Sequence, residues 1–219
     1  MDKRNLARQL AFRAIANGRP LDWFEELYEK SEAEGLTVPW ADLAPNPNLV
    51  EFVETNNITG DGKSALKIGS GLGDDAEYLA GLGFNVTAFD ISPTAVRKSK
   101  ERFPGSKVRY VVNDLFNTPG EWQARFDFVL ESYTLQVLPP ELRSKAIDMI
   151  PTFIVPGGEL LIIARARDHD DDKGQMPWPL TASELLRFEQ LGLKCISFED
   201  YMDHEDPPVR RFRGHYIKP

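Results

Sequence analysis

The chain predicts an α/β fold: a seven-stranded, mostly parallel sheet with an antiparallel last strand, helices on both faces and a helical N-terminal extension. Three observations lead there. From Ser64 onward short apolar runs alternate with amphipathic segments, as expected of strand-helix units around a parallel sheet. Seven of those runs read as strands: Ala65–Ile68, Asn85–Phe89, Val108–Val112, Phe126–Glu131, Glu159–Ala164, Lys194–Glu199 and Arg210–Ile217. The last two have only Tyr201–Pro208 between them, whereas a parallel crossover needs roughly a dozen residues, so the final strand turns back antiparallel.

The elements follow in order. Leu6, Leu10 and Ile15, then Phe24, Leu27 and Tyr28, recur at three- and four-residue spacing with a break at Gly18 and Pro20, which predicts two helices. Residues 35–47 carry three prolines and little periodicity and read as a loop, after which Leu49–Val53 resumes helical spacing. Residues 1–48 are thus expected to form the extension and 49–219 the α/β domain. A helix is expected after each of the first five strands. Ser92 before Pro93 marks one start, a cap followed by a residue whose missing N–H costs nothing there. Thr181 and Glu184 form a capping box at another, flanked by Leu180 and Leu185 as a hydrophobic staple.

The composition is that of an ordinary globular protein, 42% hydrophobic and 27% charged over 219 residues. A net charge of -8 argues against a nucleic-acid backbone or an anionic membrane surface as partner. No apolar run approaches the roughly 20 residues of a membrane span, and the N-terminus lacks the apolar core of a secretory signal, so a cytoplasmic protein is expected. The single cysteine, Cys195, sits in an apolar stretch and reads as a core residue. The stretch from Arg165 to Asp172 follows the fifth strand at the binding edge and continues to Trp178 without periodicity, so it can serve as an active-site lid; its aspartates with His169 lack metal-site spacing and read as a solvated acidic loop.

The chemistry concentrates after the first strand. Gly69-Ser70-Gly71-Leu72-Gly73 is a glycine turn leading into a helix, where close backbone approach and free N–H groups can hold a polar ligand. Such turns also occur where nothing binds. Asp90 ends the second strand about 20 residues after the first glycine, the spacing at which a carboxylate accepts hydrogen bonds from ribose hydroxyls, and Ile91 follows it. Asp114, Leu115 and Phe116 end the third strand with one acceptor and two apolar side chains, a slot suited to an adenine ring. The ligand is then a nucleoside.

Together, the Gly-x-Gly-x-Gly turn, Asp90, Asp114, the run Phe126–Glu131 and Pro156-Gly157-Gly158 before the fifth strand resemble class I S-adenosylmethionine-dependent methyltransferases. The resemblance runs from about Leu49 to the C-terminus and implies a Rossmann-like sheet, S-adenosylmethionine as cofactor and methyl transfer to a small-molecule acceptor. Trp23, Tyr28, Pro39-Trp40 and Pro45-Asn46-Pro47 resemble elements of the thiopurine, halide and thiol methyltransferase branch, in which the N-terminal segment folds over the cofactor. Plain packing of the extension is the other reading of Trp23 and Trp40. The resemblance implies that Gly69, Ser70, Gly71 and Gly73 approach the methionine end, that Asp90 with Ile91 holds the ribose, and that Asp114 and Leu115 hold the adenine. It also implies that Trp23 and Trp40 cover the cofactor, and that Glu131 lies near the sulfonium as a stabiliser or proton acceptor. Tyr133 and Gln136 then face the substrate.

Lys67 departs from the family pattern, which has an acid two residues before the first glycine. A cation there weakens cofactor binding unless it pairs with a neighbour such as Asp74 or Glu131, or meets the ligand carboxylate. This keeps open a non-catalytic cofactor-binding protein. A nicotinamide oxidoreductase fits less well, because its fingerprint has glycine or alanine at the sixth position, where this chain has Asp74.

Overall fold

The computed structural model describes residues 3–219; the first two residues of the expected extension lie outside the described residues. The two predicted N-terminal helices are α1 (Lys3–Ala16) and α2 (Asp22–Ala33), followed by α3 (Pro47–Asn56). Asn46 caps α3, its side chain accepting from Asn48 N, with Pro47 at the first helical position. The sheet comprises β1 (Ser64–Ile68), β2 (Asn85–Asp90), β3 (Arg109–Val112), β4 (Phe126–Ser132), β5 (Ile154–Arg165), β6 (Lys194–Met202) and β7 (Arg210–Ile217). The intervening helices are α4 (Asp74–Gly81), α5 (Pro93–Arg102), α6 (Pro140–Met149) and α7 (Ala182–Gln190).

Strand order is β3-β2-β1-β4-β5-β7-β6. β1 to β5 pair in parallel, and β7 runs antiparallel to both of its neighbours, as the short final connection requires. The register of β5 and β7 sets Arg165 directly opposite Arg211. One expectation fails: after β3 there is no full helix but a three-residue 3-10 turn, Gly120–Trp122. The physical reason is packing, because Trp122 is buried there against Phe89 and Phe126 and covers the sheet that a helix would otherwise cover.

The central strands are apolar throughout because both faces are covered. Leu66, Ile68, Val129, Leu160 and Ile162 pack on one face with α6 and α7. Ala65, Phe128, Leu130, Leu161 and Ile163 pack on the other with α3 and α4. This alternation decides which way each polar residue at the strand ends points. The Ser92 hydroxyl accepts from Ala95 N at 3.0 Å, and Glu184 accepts from Thr181 N at 2.8 Å, so both predicted helix starts are present.

The extension has its own cluster, in which Ala7, Leu10, Trp23, Leu27 and Val38 meet Ala95 of α5 and Met176. A polar latch fastens it: Glu25 on α2 accepts from the Ser92 and Thr94 hydroxyls and from Thr94 N. Among the described residues no helix is long and apolar enough to cross a membrane.

Candidate active site

The C-terminal ends of the parallel strands open into a cavity of about 710 Å³, roofed by α2 and the segment that follows it. That volume lies within the roughly 300–1,000 Å³ usual for small-molecule sites, and the edge is where open α/β sheets bind ligands.

Gly69, Ser70, Gly71 and Leu72 of the glycine loop, Asp90, Ile91, Asp114 and Leu115 all border this one cavity, although they come from the ends of three different strands. Asp90 is buried; one carboxylate oxygen accepts from Gly71 N at 2.9 Å and the other from Ser92 N at 3.0 Å. Burial raises its pKa above the ordinary aspartate value against the pull of these bonds and of Lys67. Asp114 holds Phe116 N at 2.9 Å with one oxygen. The Ser70 hydroxyl is buried in the loop without a hydrogen-bond partner among the described residues.

The three glycines differ in what constrains them. A Cβ on Gly73 would come within 2.5 Å of the Tyr110 hydroxyl, and one on Gly69 within 2.4 Å of the Thr134 hydroxyl, so both are fixed by packing. A Cβ on Gly71 meets only the Tyr28 hydroxyl, at 3.5 Å. Gly71 is therefore the glycine whose bare face belongs to the cavity, and Gly73 does not border it. Tyr28 is in turn held by the Trp40 indole, which donates to its hydroxyl at 2.9 Å.

Trp40 borders the cavity, whereas Trp23 is only 1% exposed and lies behind it, edge-on to Trp40 and stacked on Phe24. The expectation of direct cofactor contact thus separates the two tryptophans: Trp23 supports the wall that Trp40 presents.

Lys67 is 2% exposed and does have a partner, but neither of those anticipated. Its ammonium donates to the carbonyl oxygens of Ile68 and Gly69 and lies 3.7 Å from Asp75. Asp74 is instead engaged bidentately by Arg102. Glu131 makes no hydrogen bond or ion pair with it, because the register pairs Glu131 with Ile68 and points the two side chains to opposite faces of the sheet, although the Lys67 charge still acts on the Glu131 carboxyl.

Glu131 is the clearest departure from expectation. It is fully buried and does not border the cavity; one oxygen caps the turn after β4, accepting from Thr134 N at 2.7 Å and Leu135 N at 2.9 Å. The other oxygen is buried without a partner among the described residues, and burial pushes the carboxyl up to about 7. Enclosed beneath this turn, it has no direct contact with a substrate held in the cavity. Tyr133 and Gln136 do border the cavity. Tyr133 has the left-handed backbone (φ 67°), and its hydroxyl accepts from Asn48 at 3.1 Å. Gln136 is spent on the scaffold, accepting from Arg165 N and, through its own carbonyl, from Trp178 N.

The sequence reading missed Asn46, Asn48, Arg165 and Arg211, which border the same cavity. Asn46 donates to the Ser132 hydroxyl at 2.8 Å, and Asn48 links Tyr133 to Tyr201. Asn46 was visible only as part of a proline-rich motif, Arg165 only as the start of a candidate lid at the binding edge, and Asn48 and Arg211 carried no motif.

The residues present suit S-adenosylmethionine. A deep carboxylate, an unpartnered hydroxyl in a glycine loop, a glycine whose bare face opens to the cavity and an acid beside Leu115 match ribose, methionine and adenine groups. Residues 65–158 match a methyltransferase domain model. The chain is 30% identical over 179 residues to "Probable thiol methyltransferase 2" of Arabidopsis thaliana, covering 79% of this chain and 76% of that protein. Its fold is similar to a Burkholderia thailandensis 1,6-didemethyltoxoflavin-N1-methyltransferase holding S-adenosylhomocysteine, with a TM-score of 0.69, 20% identity and coverage of 89% and 87%. It is also similar to the N-methyltransferase NodS of Bradyrhizobium japonicum, likewise with S-adenosylhomocysteine, with a TM-score of 0.67, 18% identity and coverage of 88% and 98%.

Proposed function

Because the chain belongs to the class I S-adenosylmethionine-dependent methyltransferases and S-adenosylmethionine is its cofactor, we propose that it methylates a small molecule, and a thiol before other nucleophiles. The observation that carries this reading is the shared, roofed cavity: the nucleoside-binding edge of β1 to β3 and a second polar region around Tyr133, Asn48 and Arg165 open into one space. A macromolecular acceptor would have to enter beneath α2, whereas a small one fits inside.

In this reading Gly69 to Gly71 and Ser70 hold the methionine end, Asp90 the ribose, and Asp114 with Leu115 the adenine. When bound, S-adenosylmethionine supplies an electrophilic methyl carbon: the acceptor's lone pair forms the new bond as the carbon–sulfonium bond breaks, leaving S-adenosylhomocysteine. The chain aligns and encloses, which suffices for an in-line displacement. Tyr28 and Trp40 exclude water from above. Lys67, paired with Asp75, keeps the glycine loop in shape without leaving a loose cation beside the ligand. Burial raises the pKa of Tyr133, so it stays protonated at neutral pH and positions the acceptor instead of removing its proton. A thiol needs little help, since its pKa of about 8.5 gives it a thiolate fraction near neutrality, the proton leaving to water. A cytoplasmic setting suits a chain whose single cysteine is half-buried in its sheet.

The test is transfer of labelled methyl from S-adenosylmethionine to a panel of small thiols, phenols, amines and halides, with S-adenosylhomocysteine titrated calorimetrically in parallel. Turnover on thiols above the other classes supports the reading. Turnover only on a protein or nucleic acid would end it.

A further inference from the structure

We propose that the methyl acceptor carries a carboxylate remote from its nucleophilic atom, and that this carboxylate is bound by the guanidinium of Arg165. The inference deepens the small-acceptor reading above and rests on it.

Arg165 and Arg211 are register partners on antiparallel strands, so their side chains leave the same face of the sheet side by side. Like charges directly opposite in such a pair destabilise a sheet. Arg211 has its charge answered: it donates to Asp203 at 2.6 Å and to Glu205 at 2.5 Å, and its guanidinium lies 4.6 Å over the Tyr133 ring. Arg165 does not. It is half-buried on the cavity wall, and among the described residues no hydrogen bond or ion pair engages its guanidinium. Burial first, then the charges of Arg211 and Arg4, lowers its pKa against the pull of Glu205, so an anion arriving there favours the charged form further.

The acids nearby are committed elsewhere. Glu205, the acid whose charge reaches Arg165, is held with Asp203 by Arg211; Glu51 pairs with Arg213, Asp75 with Lys67 and Asp74 with Arg102, while Asp42 and Asp206 are exposed at the rim. Position then assigns the cation to the acceptor. β5 lies two strands beyond β1, on the side away from β2 and its ribose acid Asp90, which at about 4.8 Å per strand is roughly 10 Å from the glycine-loop strand. A planar guanidinium in a partly dry wall is suited to a carboxylate, which it can hold with two parallel hydrogen bonds.

The experiment compares mercaptopropionate with its primary amide as acceptors for the full-length protein, in the parent, Arg165→Gln, Arg165→Lys and Arg165→Glu. The parent is expected to prefer the acid in kcat/KM by roughly tenfold or more. Arg165→Gln brings the ratio near one, Arg165→Glu takes it below one, and Arg165→Lys retains part of the preference. The Kd of the acid for the S-adenosylhomocysteine-loaded protein rises in parallel with the loss, and thermal melting verifies that each variant is folded. Equal use of acid and amide by the parent overturns the inference and leaves the methyltransferase reading standing. A tenfold loss of S-adenosylhomocysteine affinity in Arg165→Gln also overturns it, because the cation then serves the cofactor's carboxylate. Absence of both cofactor binding and transfer to any acceptor removes the reading beneath it as well.

Discussion

The Lys67 ammonium lies 3.7 Å from the Asp75 carboxylate across the foot of the glycine loop, where the family pattern has an acid. The cation that looked like a liability is answered by the first turn of α4. Asp75 also accepts from Asn46 N at 2.8 Å, so one carboxylate joins the loop, α4 and the entry to α3. Asp75→Asn leaves an ammonium with only 3% side-chain exposure without its ion-pair partner. The expected cost is about 3 kcal/mol in urea unfolding, with weaker S-adenosylhomocysteine binding; equal midpoints for variant and parent would show the pair to be idle.

Gly71 and Gly73 are expected to respond differently to a side chain. Gly71→Val fills cavity space and adds backbone strain of about 1–2 kcal/mol at a φ of 55°, so calorimetry should find cofactor binding lost in a folded protein. Gly73→Ala collides with Tyr110 at a φ of 96° and should lower the melting temperature first. If Gly71→Val binds S-adenosylhomocysteine with undiminished affinity, the loop is only a turn.

Trp23 and Trp40 form a second contrasting pair. Trp23→Ala empties a buried site and should cost about 3–5 kcal/mol of stability. Trp40→Ala, on the cavity wall, should cost less in unfolding but weaken S-adenosylhomocysteine binding at least several-fold. Measuring both quantities on both variants distinguishes a wall from its support.

Glu131 makes stability depend on pH. Its folded pKa of about 7 is above the ordinary glutamate value of 4.5, so the native state holds a proton that the unfolded chain has released. The sign follows: this stability is fully present below about pH 4.5 and is lost as pH rises through 7, by about 3 kcal/mol at most. Asp90, also raised, acts in the same direction. Glu131→Gln keeps an acceptor for Thr134 and Leu135 N–H and should flatten the pH profile of urea unfolding between pH 5 and 8. Parallel profiles for parent and variant would refute this origin.

The strand ends were readable in the sequence because period and spacing determine them. Asp90, Asp114 and the glycine loop sit at positions where a parallel strand stops, and parallel strands stop at one edge. Glu131 was readable in place but not in direction: the alternation that buries Val129 on the α6 face sends Glu131 to that side too, beneath the turn it caps. Arg165 and Arg211 are 46 residues apart, and only the β5–β7 register makes them neighbours. The missing helix after β3 was hidden for a similar reason, since the burial of Trp122 is a tertiary event that local periodicity does not encode.

The latch from Glu25 to Ser92 and Thr94 gives the protein a timing problem as well as a roof. Spent and fresh cofactor differ by one methyl group, and both must pass the α2 roof that the latch holds down, once outward and once inward, in every cycle. A roof fastened in this way is the kind of element whose opening limits turnover, so loosening the latch with Glu25→Gln is expected to quicken product exchange while admitting water to the site.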